Sequence, residues 1–458
     1  MNKILTTVGL TALGAASLQA QYAPGLTPQE MSKAWSLSVD LRGFYDDNYL
    51  TEPKSFPITT YNPAAAQYVT TTGHPLASWG TEVSPSAAVN HSVENTLMSA
   101  SYIYDMRWYE NHSATDQSHQ FNGRLEHEFS ERYKLSLSES FVIAQEPTVI
   151  AADQTTAEPL RVEGNNVRNT GQADFTAGLT KDFDLHLGYG NTIYHYQQTG
   201  VQLYGIPGTA LTVPEPSRSA LLDRMEQLAT VDLRWKATPE TTGILGYQYG
   251  HTEYTSPEYI IYPGADAVPA TAAPGFRSGI RNSDSHFVFV GADESFTPTL
   301  NGSIRAGGEY VDYYNSHDSR ISPYVDASLT DQYMPGCSGQ LGVKHIHNST
   351  DVAGSIGTSF NPVLDEQSTA IYISDSHKLT ERITATVLGQ AQLSTFDGGG
   401  SGYDGKSEDF YILQINLAYH FSPWFMTEAG YNFSKLKSDL PDRTYTRDFM
   451  YLGLRATY

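Results

Sequence analysis

Residues 407–437 read SEDFYILQINLAYHFSPWFMTEAGYNFSKLK, and this stretch contains the pattern that decides the fold. From position 411 to position 421 every odd position is apolar or aromatic, whereas most even positions are polar. An alternation with a period of two is typical of a β-strand that has one apolar face. It continues for about ten residues, the length that a tilted strand needs to cross the hydrocarbon layer of a membrane, whereas soluble strands cluster near about five or six. Ser422 and Pro423 then predict a turn, after which a second strand returns.

This turn belongs to a phrase that recurs along the chain: an apolar residue, then Ser or Thr, then turn-forming residues, then the next strand. The copies are Phe129-Ser130-Glu131-Arg132, Leu179-Thr180-Lys181-Asp182, Ala237-Thr238-Pro239-Glu240, Phe296-Thr297-Pro298-Thr299, Leu379-Thr380-Glu381-Arg382 and Phe421-Ser422-Pro423-Trp424. The gaps between copies are far longer than one strand, so each gap must contain a strand, a loop and a returning strand. Tight turns on one side and long loops on the other are typical of a transmembrane β-barrel.

The alternation predicts an all-β protein with about eighteen strands, sixteen being the alternative. A sheet that spans a membrane cannot leave an edge unpaired in lipid, so we expect a closed antiparallel barrel over residues 35–458. The strands are predicted at 35–47, 81–90, 95–109, 117–129, 133–144, 168–180, 184–198, 223–237, 241–254, 280–296, 299–314, 320–333, 337–349, 366–378, 382–396, 407–421, 424–437 and 445–458. The tight turns should face the periplasm. Loops 48–80, 145–167, 199–222 and 255–279 should face outward, and 48–80 and 145–167 are our candidates for a loop that narrows the lumen.

The N-terminus has the features of a secretory signal peptide. Lys3 is followed by an apolar segment at 4–16 and by the small-residue cleavage pattern Leu18-Gln19-Ala20. We therefore expect residues 1–20 to be removed and residues 21–34 to form a periplasmic lead. An uncleaved membrane anchor is disfavoured because the apolar segment is too short to span a bilayer.

The last ten residues alternate as well. Within 449–458, an apolar face that includes Leu452, Leu454, Ala456 and Tyr458 opposes a face with Tyr451, Gly453, Arg455 and Thr457. This segment resembles the terminal strand of bacterial outer-membrane proteins, whose final aromatic residue is recognised by the barrel-assembly machinery. The resemblance implies that Leu452, Leu454, Ala456 and Tyr458 form the assembly signal.

Together with the signal peptide, the alternating strands and the Phe-Thr-Pro type of turn, this ending makes residues 35–458 resemble the putative β-barrel porins of bacterial outer membranes. The resemblance implies location in the outer membrane, contact with lipid and lipopolysaccharide, small hydrophilic solutes as cargo and no cofactor. The oligomeric state stays open, a trimer included. The net charge of −22 argues against a nucleic-acid partner, which requires basic patches.

Strand parity selects the charged residues that should line the lumen. A barrel of sixteen to eighteen strands is too wide for side chains to fill, and its lining charges set selectivity. The basic candidates are Arg42, Arg107, Arg124, Arg234, Lys236, Arg305, Lys344 and Arg455, and the acidic candidates are Asp40, Asp105, Glu126, Asp174, Asp232, Glu309 and Asp326. Opposed rows of the two signs would orient polar solutes in a transverse field. Alternatively, these residues are solvated or paired with one another along the wall.

Two motifs suggest metal binding, each with a simpler alternative. The segment 397–405 has the Asp and Gly composition of calcium-binding turns, but a single imperfect copy favours a flexible loop. His345 and His347 share one face of a strand, but zinc would need further ligands, so a polar pair without metal is favoured.

Catalysis is not predicted, because no G-x-S-x-G, HExxH or P-loop motif is present. His112, Ser113, Asp116, Ser118 and His119 could imitate an active site in an outer loop, although polar loops commonly contain such residues. The sequence therefore favours a channel for passive diffusion of small hydrophilic solutes. A non-conducting or plugged barrel with a structural or polysaccharide-export role is the alternative, and a barrel hydrolase is the third class.

Overall fold

A computed structural model describes residues 33–111, 115–145, 149–150, 157–158, 165–205, 208–210, 212–263, 275–354 and 361–458. Within these ranges, an antiparallel sheet of 18 strands dominates the structure. We number its strands β1 (Trp35–Asp46), β2 (Ser78–Val93), β3 (Thr96–Tyr109), β4 (Thr115–Ser130), β5 (Tyr133–Ala144), β6 (Asn166–Gly178), β7 (Phe183–Tyr196), β8 (Arg224–Lys236), β9 (Thr241–Tyr254), β10 (Ser283–Ser295), β11 (Leu300–Tyr313), β12 (Asp318–Met334), β13 (Cys337–Asn348), β14 (Val363–Lys378), β15 (Ile383–Gly398), β16 (Ser407–Ser422), β17 (Phe425–Ser438) and β18 (Tyr445–Thr457). The predicted signal peptide and most of the predicted lead lie outside the described residues.

The sheet closes on itself. Each strand pairs with the next in sequence, and β1 pairs with both β2 and β18, so that Leu41 lies opposite Val83 on one side and Leu454 on the other. This confirms the predicted closed antiparallel barrel and the predicted strand number. The strand expected at 81–90 is longer than predicted, because pairing with β1 and β3 continues it through small and polar residues.

The recurring Ser or Thr is the residue that closes the six tight turns that contain the phrase. In the copy at 296–299, Oγ1 of Thr297 accepts hydrogen bonds from the backbone N–H groups of Thr299 and Leu300 at 3.3 and 2.9 Å. The equivalent hydroxyl plays the same part in the other copies, at Ser130, Thr180, Thr238, Thr380 and Ser422. A short hydroxyl side chain can satisfy the N–H groups that a tight turn leaves unpaired, which explains the repeated phrase. We call this end of the barrel the tight-turn end and the opposite end the loop end.

The loop end carries the remaining regular elements of the described residues. They are the strand pairs Phe56–Asn62 with Gln67–Gly73, Val149–Ile150 with Ala157–Glu158, Gln202–Gly205 with Thr212–Glu215 and Tyr259–Ile261 with Phe276–Arg277, the helix α1 at Arg218–Leu222, and the 3-10 turns Ser278–Arg281 and Gly400–Gly402. None of the helices in the described ranges is long and apolar enough to cross a membrane.

The outside of the barrel is apolar and the inside is polar. On β1, Leu37 is 52 % exposed whereas its neighbour Ser36 is 2 % exposed, and the alternation continues along the strand. Aromatic rings gather at both ends: the ring centroids of Trp35 and Tyr458 lie 5.3 Å apart at the tight-turn end, and those of Tyr45 and Trp79 lie 4.9 Å apart at the loop end. Such an apolar band between aromatic girdles is the surface that a lipid bilayer requires.

The turn hydrogen bonds predict a specific stability effect. Replacing Thr297 with Val removes the acceptor but keeps the side-chain shape, so unfolding in urea should become easier by about 1 kcal/mol. Thr297→Ser keeps the hydroxyl and should unfold like the parent protein. Equal midpoints for the Val and Ser variants would show that the hydroxyl does not hold the turn.

Candidate functional site

An apolar cluster crosses the lumen near the loop end. Its members are Val142 and Ala144 of β5, Leu388 of β15, Phe410 and Ile412 of β16, Leu436 of β17 and Tyr445 of β18. Because β5 is no neighbour of β15–β18 in the sheet, these side chains meet across the interior. The cluster separates a small lobe, enclosed by β1–β3 and β16–β18, from a large lobe, enclosed by β6–β14.

The small lobe is filled by a buried network of ion pairs. The guanidinium of Arg42 donates to Glu82 at 3.0 Å and to Glu428 at 2.5 Å, and Nε of Arg107 lies 3.0 Å from Glu82 and 3.2 Å from Asp105. The ring of Tyr451 covers the Arg42 guanidinium with a centroid distance of 4.4 Å.

Five of the predicted lumen residues are therefore packing residues of this lobe. They are Arg42, Arg107, Arg455, Asp40 and Asp105, all buried, with Arg455 lying 3.6 Å from Asp40. Sequence reasoning missed Glu82 and Glu428. The register of β1 and β2 could have identified Glu82, because Glu82 lies directly opposite Arg42 in this pairing.

The remaining candidates, apart from Glu309 and Lys344, face the wider part of the lumen, and opposite charges are neighbours on the same wall. His186 lies 3.1 Å from Asp174 and 3.4 Å from Asp232, which itself lies 3.4 Å from Arg234. The other adjacent charges are Arg124 with Glu126, Lys236 with Asp184, and the cross-strand row of Arg305, Asp326 and Lys344. These contacts match the mutually paired alternative rather than opposed rows of single sign.

A short segment, residues 349–354, folds into the large lobe at the loop end; we call it the inward segment. Oγ of Ser349 donates to Glu226 of β8 at 3.3 Å, which crosses the lumen from the end of β13. Asp351 pairs with Arg443 at 2.7 Å, and Arg443 also pairs with Glu408 of β16 at 2.8 Å. Burial opposes the charge of Arg443, but Asp351 and Glu408 outweigh it and hold the pKa of Arg443 well above its usual range.

Arg281 also holds the inward segment in place, through hydrogen bonds to its backbone carbonyl groups. Its buried guanidinium donates to the carbonyl groups of Val363 at 2.9 Å, Thr350 at 3.1 Å and Leu221 at 3.3 Å, and also to that of Val352. Burial lowers the pKa of Arg281. The inward segment is thus held against three other parts of the loop end.

Of the two loops predicted to narrow the lumen, 48–80 lies entirely within the described residues and has another position. In loop 48–80, Tyr49 packs on Phe44, Tyr109 and Phe449 over the small lobe, while much of the hairpin 56–73 is exposed. Most of loop 145–167 lies outside the described residues. The inward segment was missed because its short sequence carries no pattern that distinguishes it from an ordinary loop.

A cavity of about 290 Å³ lies beneath the inward segment. Its lining includes Glu226, Glu309, Lys344, His347 and Asp365. Toward this cavity the lumen narrows: on β6, the inward-facing Asn166, Arg168 and Thr170 near the loop end are buried, whereas Gln172, Asp174 and Thr176 nearer the tight turn are more exposed. The interior is therefore a funnel that opens toward the tight-turn end.

The predicted histidine pair separates in the structure. His345 contacts Thr369 at 2.7 Å and Gln367 at 3.2 Å, whereas His347 lies 3.2 Å from Glu309 and 3.5 Å from Asp397. The two histidines differ because the pairing of β12 with β13 ends at His345. Beyond this point β12 no longer holds β13, and the side chain of His347 can turn toward Glu309 of β11.

The other chemical motifs of the sequence do not assemble. In segment 397–405, Oδ1 of Asp404 accepts from the backbone N–H of Gly398 at 3.1 Å, so this carboxylate holds the turn itself. His119 hydrogen-bonds to the Tyr102 hydroxyl at 2.9 Å, and its neighbour Ser118 lies on the other face of β4. His112 and Ser113 lie outside the described residues.

The closed sheet, its apolar outer face and its polar, partly filled interior define a barrel of the outer-membrane type. A family model described as putative beta-barrel porin 2 matches residues 272–458. This match confirms, for that part of the chain, the resemblance that the sequence patterns indicated. A search of curated proteins gives no match.

Three solved structures are similar to this chain at low sequence identity. OccAB4 of Acinetobacter baumannii is 11 % identical, with 94 % of this chain and 100 % of that chain covered and a TM-score of 0.40. OpdK of Pseudomonas aeruginosa, solved with vanillate, is 8 % identical, with 93 % and 99 % covered and a TM-score of 0.42. OccK9 of Pseudomonas aeruginosa is 11 % identical, with 93 % and 98 % covered and a TM-score of 0.39.

The buried network predicts a large penalty for losing its shared carboxylate. Glu82→Ala leaves Arg42 and Arg107 without a common partner in a dry interior, so the free energy of unfolding should fall by about 3–5 kcal/mol. Glu128→Ala is the matched control, because its pair with Lys134 is exposed and worth about 1 kcal/mol or less. Urea unfolding in detergent micelles measures both. A similar small effect for the two variants would contradict the structural role of the network.

Proposed function

We propose that this protein is an outer-membrane channel through which small hydrophilic solutes diffuse passively by way of the large lobe. The observation that carries the proposal is the funnel of polar and charged side chains inside a closed barrel of 18 strands. A barrel of this width cannot be filled by wall side chains alone. Side-chain packing fills the small lobe, whereas β6 and β8 of the large lobe keep partly exposed side chains over most of their length.

The proposed orientation follows from the two ends. Short turns face the periplasm and longer loops face outward in bacterial barrels, so the funnel would open toward the periplasm and narrow at the cell surface. Residues 1–20 would direct secretion, with cleavage after Ala20. Leu452, Leu454, Ala456 and Tyr458 all point outward and are exposed, which suits recognition by the barrel-assembly machinery.

The residues around the inward segment favour cations. The carboxylates there are Glu226, Glu309, Asp351, Asp365, Glu366, Asp397 and Glu408, and the cationic side chains are Arg224, Arg281, Lys344 and Arg443. In a narrow passage with low-dielectric walls, the electric field of the lining charges is concentrated along the path of the solute. We therefore expect the constriction to pass cations more readily than anions.

A plugged barrel is the second candidate, and one observation favours it. The inward segment contacts Arg281, Glu226 and Arg443 on different sides of the lumen, an arrangement that would also suit a permanent closure. The channel and the plugged scaffold differ in one measurable property, which is ion conduction by the purified protein. A hydrolase gains no support from the described residues, because His119 and Ser118 do not meet.

Planar-bilayer recording tests the channel. The purified protein should give stable ohmic conductance steps, and the reversal potential across a KCl gradient should show a preference for K⁺. Glu226→Gln removes one negative charge at the constriction and should reduce that preference roughly twofold, since two unit charges separated by about 8 Å interact by about 0.5 kcal/mol at the dielectric constant of water.

Glu128→Gln is the matched control, since Glu128 lies at the wide tight-turn end of the funnel and its loss should leave the reversal potential unchanged. Silence of the parent protein in the bilayer, with the barrel correctly folded, would reject the channel in favour of the plugged scaffold. An anion preference would reject the proposed role of the acidic constriction.

A further inference from the structure

Three potential metal ligands from three strands meet at the loop end of the large lobe. His347 of β13, Asp365 of β14 and Asp397 of β15 place one ligand atom each within 4.8 Å of one another. One imidazole and two carboxylates form a donor set that suits a divalent transition-metal ion such as Zn²⁺.

The spacing of the donors is close to what one ion needs. Nε2 of His347 lies 3.5 Å from Oδ2 of Asp397. Two donors at about 2.0–2.2 Å from one tetrahedral zinc ion lie about 3.4 Å apart. The third donor requires only a small side-chain adjustment to complete a three-residue site with one open coordination position.

One of the proposed ligands carries a buried oxygen without a hydrogen-bond partner in the described part of the chain. Asp365 is 5 % exposed, and its Oδ1 has no hydrogen-bond partner among the described residues, whereas its Oδ2 accepts from the hydroxyl of Tyr313. A buried carboxylate oxygen without a donor is costly. A bound cation would satisfy it.

Glu309 orients the histidine for this role. Oε2 of Glu309 accepts from the backbone N–H of His347 at 3.3 Å and lies 3.2 Å from Nδ1 of the same residue. With the proton on Nδ1, the lone pair of Nε2 faces the oxygen of Asp397. A carboxylate that holds the far nitrogen of a ligating histidine is a recurrent feature of metal sites.

A salt bridge without metal explains less of this arrangement. A doubly protonated His347 would satisfy Glu309 and Asp397, but it would leave Oδ1 of Asp365 without a donor.

The backbone also brings the two carboxylates together. The pairing of β14 with β15 has an irregularity between Val363 and Asp365, and beyond it Asp365 lies directly opposite Asp397. β-bulges re-aim side chains and are common beside functional sites. The cavity beneath the inward segment is lined by His347 and Asp365, so an ion has a route to the site.

We propose that His347, Asp365 and Asp397 form a binding site for a divalent transition-metal ion of the zinc class at the constriction of the large lobe. Glu309 positions the imidazole. The fourth coordination position faces the cavity, where water or a passing solute can occupy it. Binding of the ion does not depend on conduction, so a test of the metal site and a test of the proposed channel can fail independently of each other.

Zinc binding to the purified full-length barrel in detergent tests the site. Isothermal titration with Zn²⁺ should show one ion per chain. His347→Gln and Asp397→Asn should each weaken the affinity at least about tenfold, because each removes a ligand. Asp365→Asn, which keeps the shape and the contact with Tyr313, should do the same.

His345→Gln is the matched control, because His345 is a histidine of the same strand. Its hydrogen bonds within the described residues are to Thr369 and Gln367. This variant should bind Zn²⁺ like the parent protein. Circular dichroism and the heat-dependent gel shift of folded barrels establish that each variant is folded. Absence of stoichiometric binding, or equal loss of affinity in the His345 and His347 variants, would overturn the proposal. Unchanged affinity in both folded aspartate variants would overturn it as well.

Discussion

The pairing of the first strand with the last is the constraint on which the rest of the structure depends. A sheet in lipid has no water to satisfy free N–H and C=O groups, so its edges must meet. Here β1 and β18 run antiparallel with Asp40 opposite Arg455, which closes the sheet with 18 strands. Closure at this strand number leaves an interior wider than the wall side chains can fill.

The filling of this interior creates the site. Ion pairs around Arg42 and Glu82 occupy one side, the cluster around Phe410 and Val142 forms a partition, and the inward segment narrows the other side. Buried charges stabilise only when each has a partner, which explains why Arg42 and Arg107 bridge two carboxylates each. The charges left over line the large lobe and collect at its narrow end.

The sequence predicted the wall of the barrel far better than its contents. Alternation has a fixed period, so it predicted β1 at 35–47, where the structure has Trp35–Asp46. The six Ser or Thr phrases marked six places where strands reverse. Parity also selected charged residues on the inner face of strands such as β1 and β18, where Asp40 and Arg455 are buried. It could not say what an inward side chain meets, because partners such as Arg42 and Glu428 lie 386 residues apart in the chain. Parity could not predict the partners of His347 either, because its contacts with Glu309 and Asp397 depend on the point at which β12 and β13 stop pairing.

Cross-linking of the first strand to the last tests the closure most directly. In a background in which Cys337 is replaced by Ser, Val39→Cys and Ala456→Cys would place two thiols directly opposite each other on the outer face. Mild oxidation in lipid vesicles should then join them within one chain, since opposite side chains have Cβ atoms about 4.5–5.5 Å apart. A second pair, Val39→Cys with Leu245→Cys on β9, should stay unlinked. If the first pair also stays unlinked, or forms bonds only between chains, the barrel does not close as described.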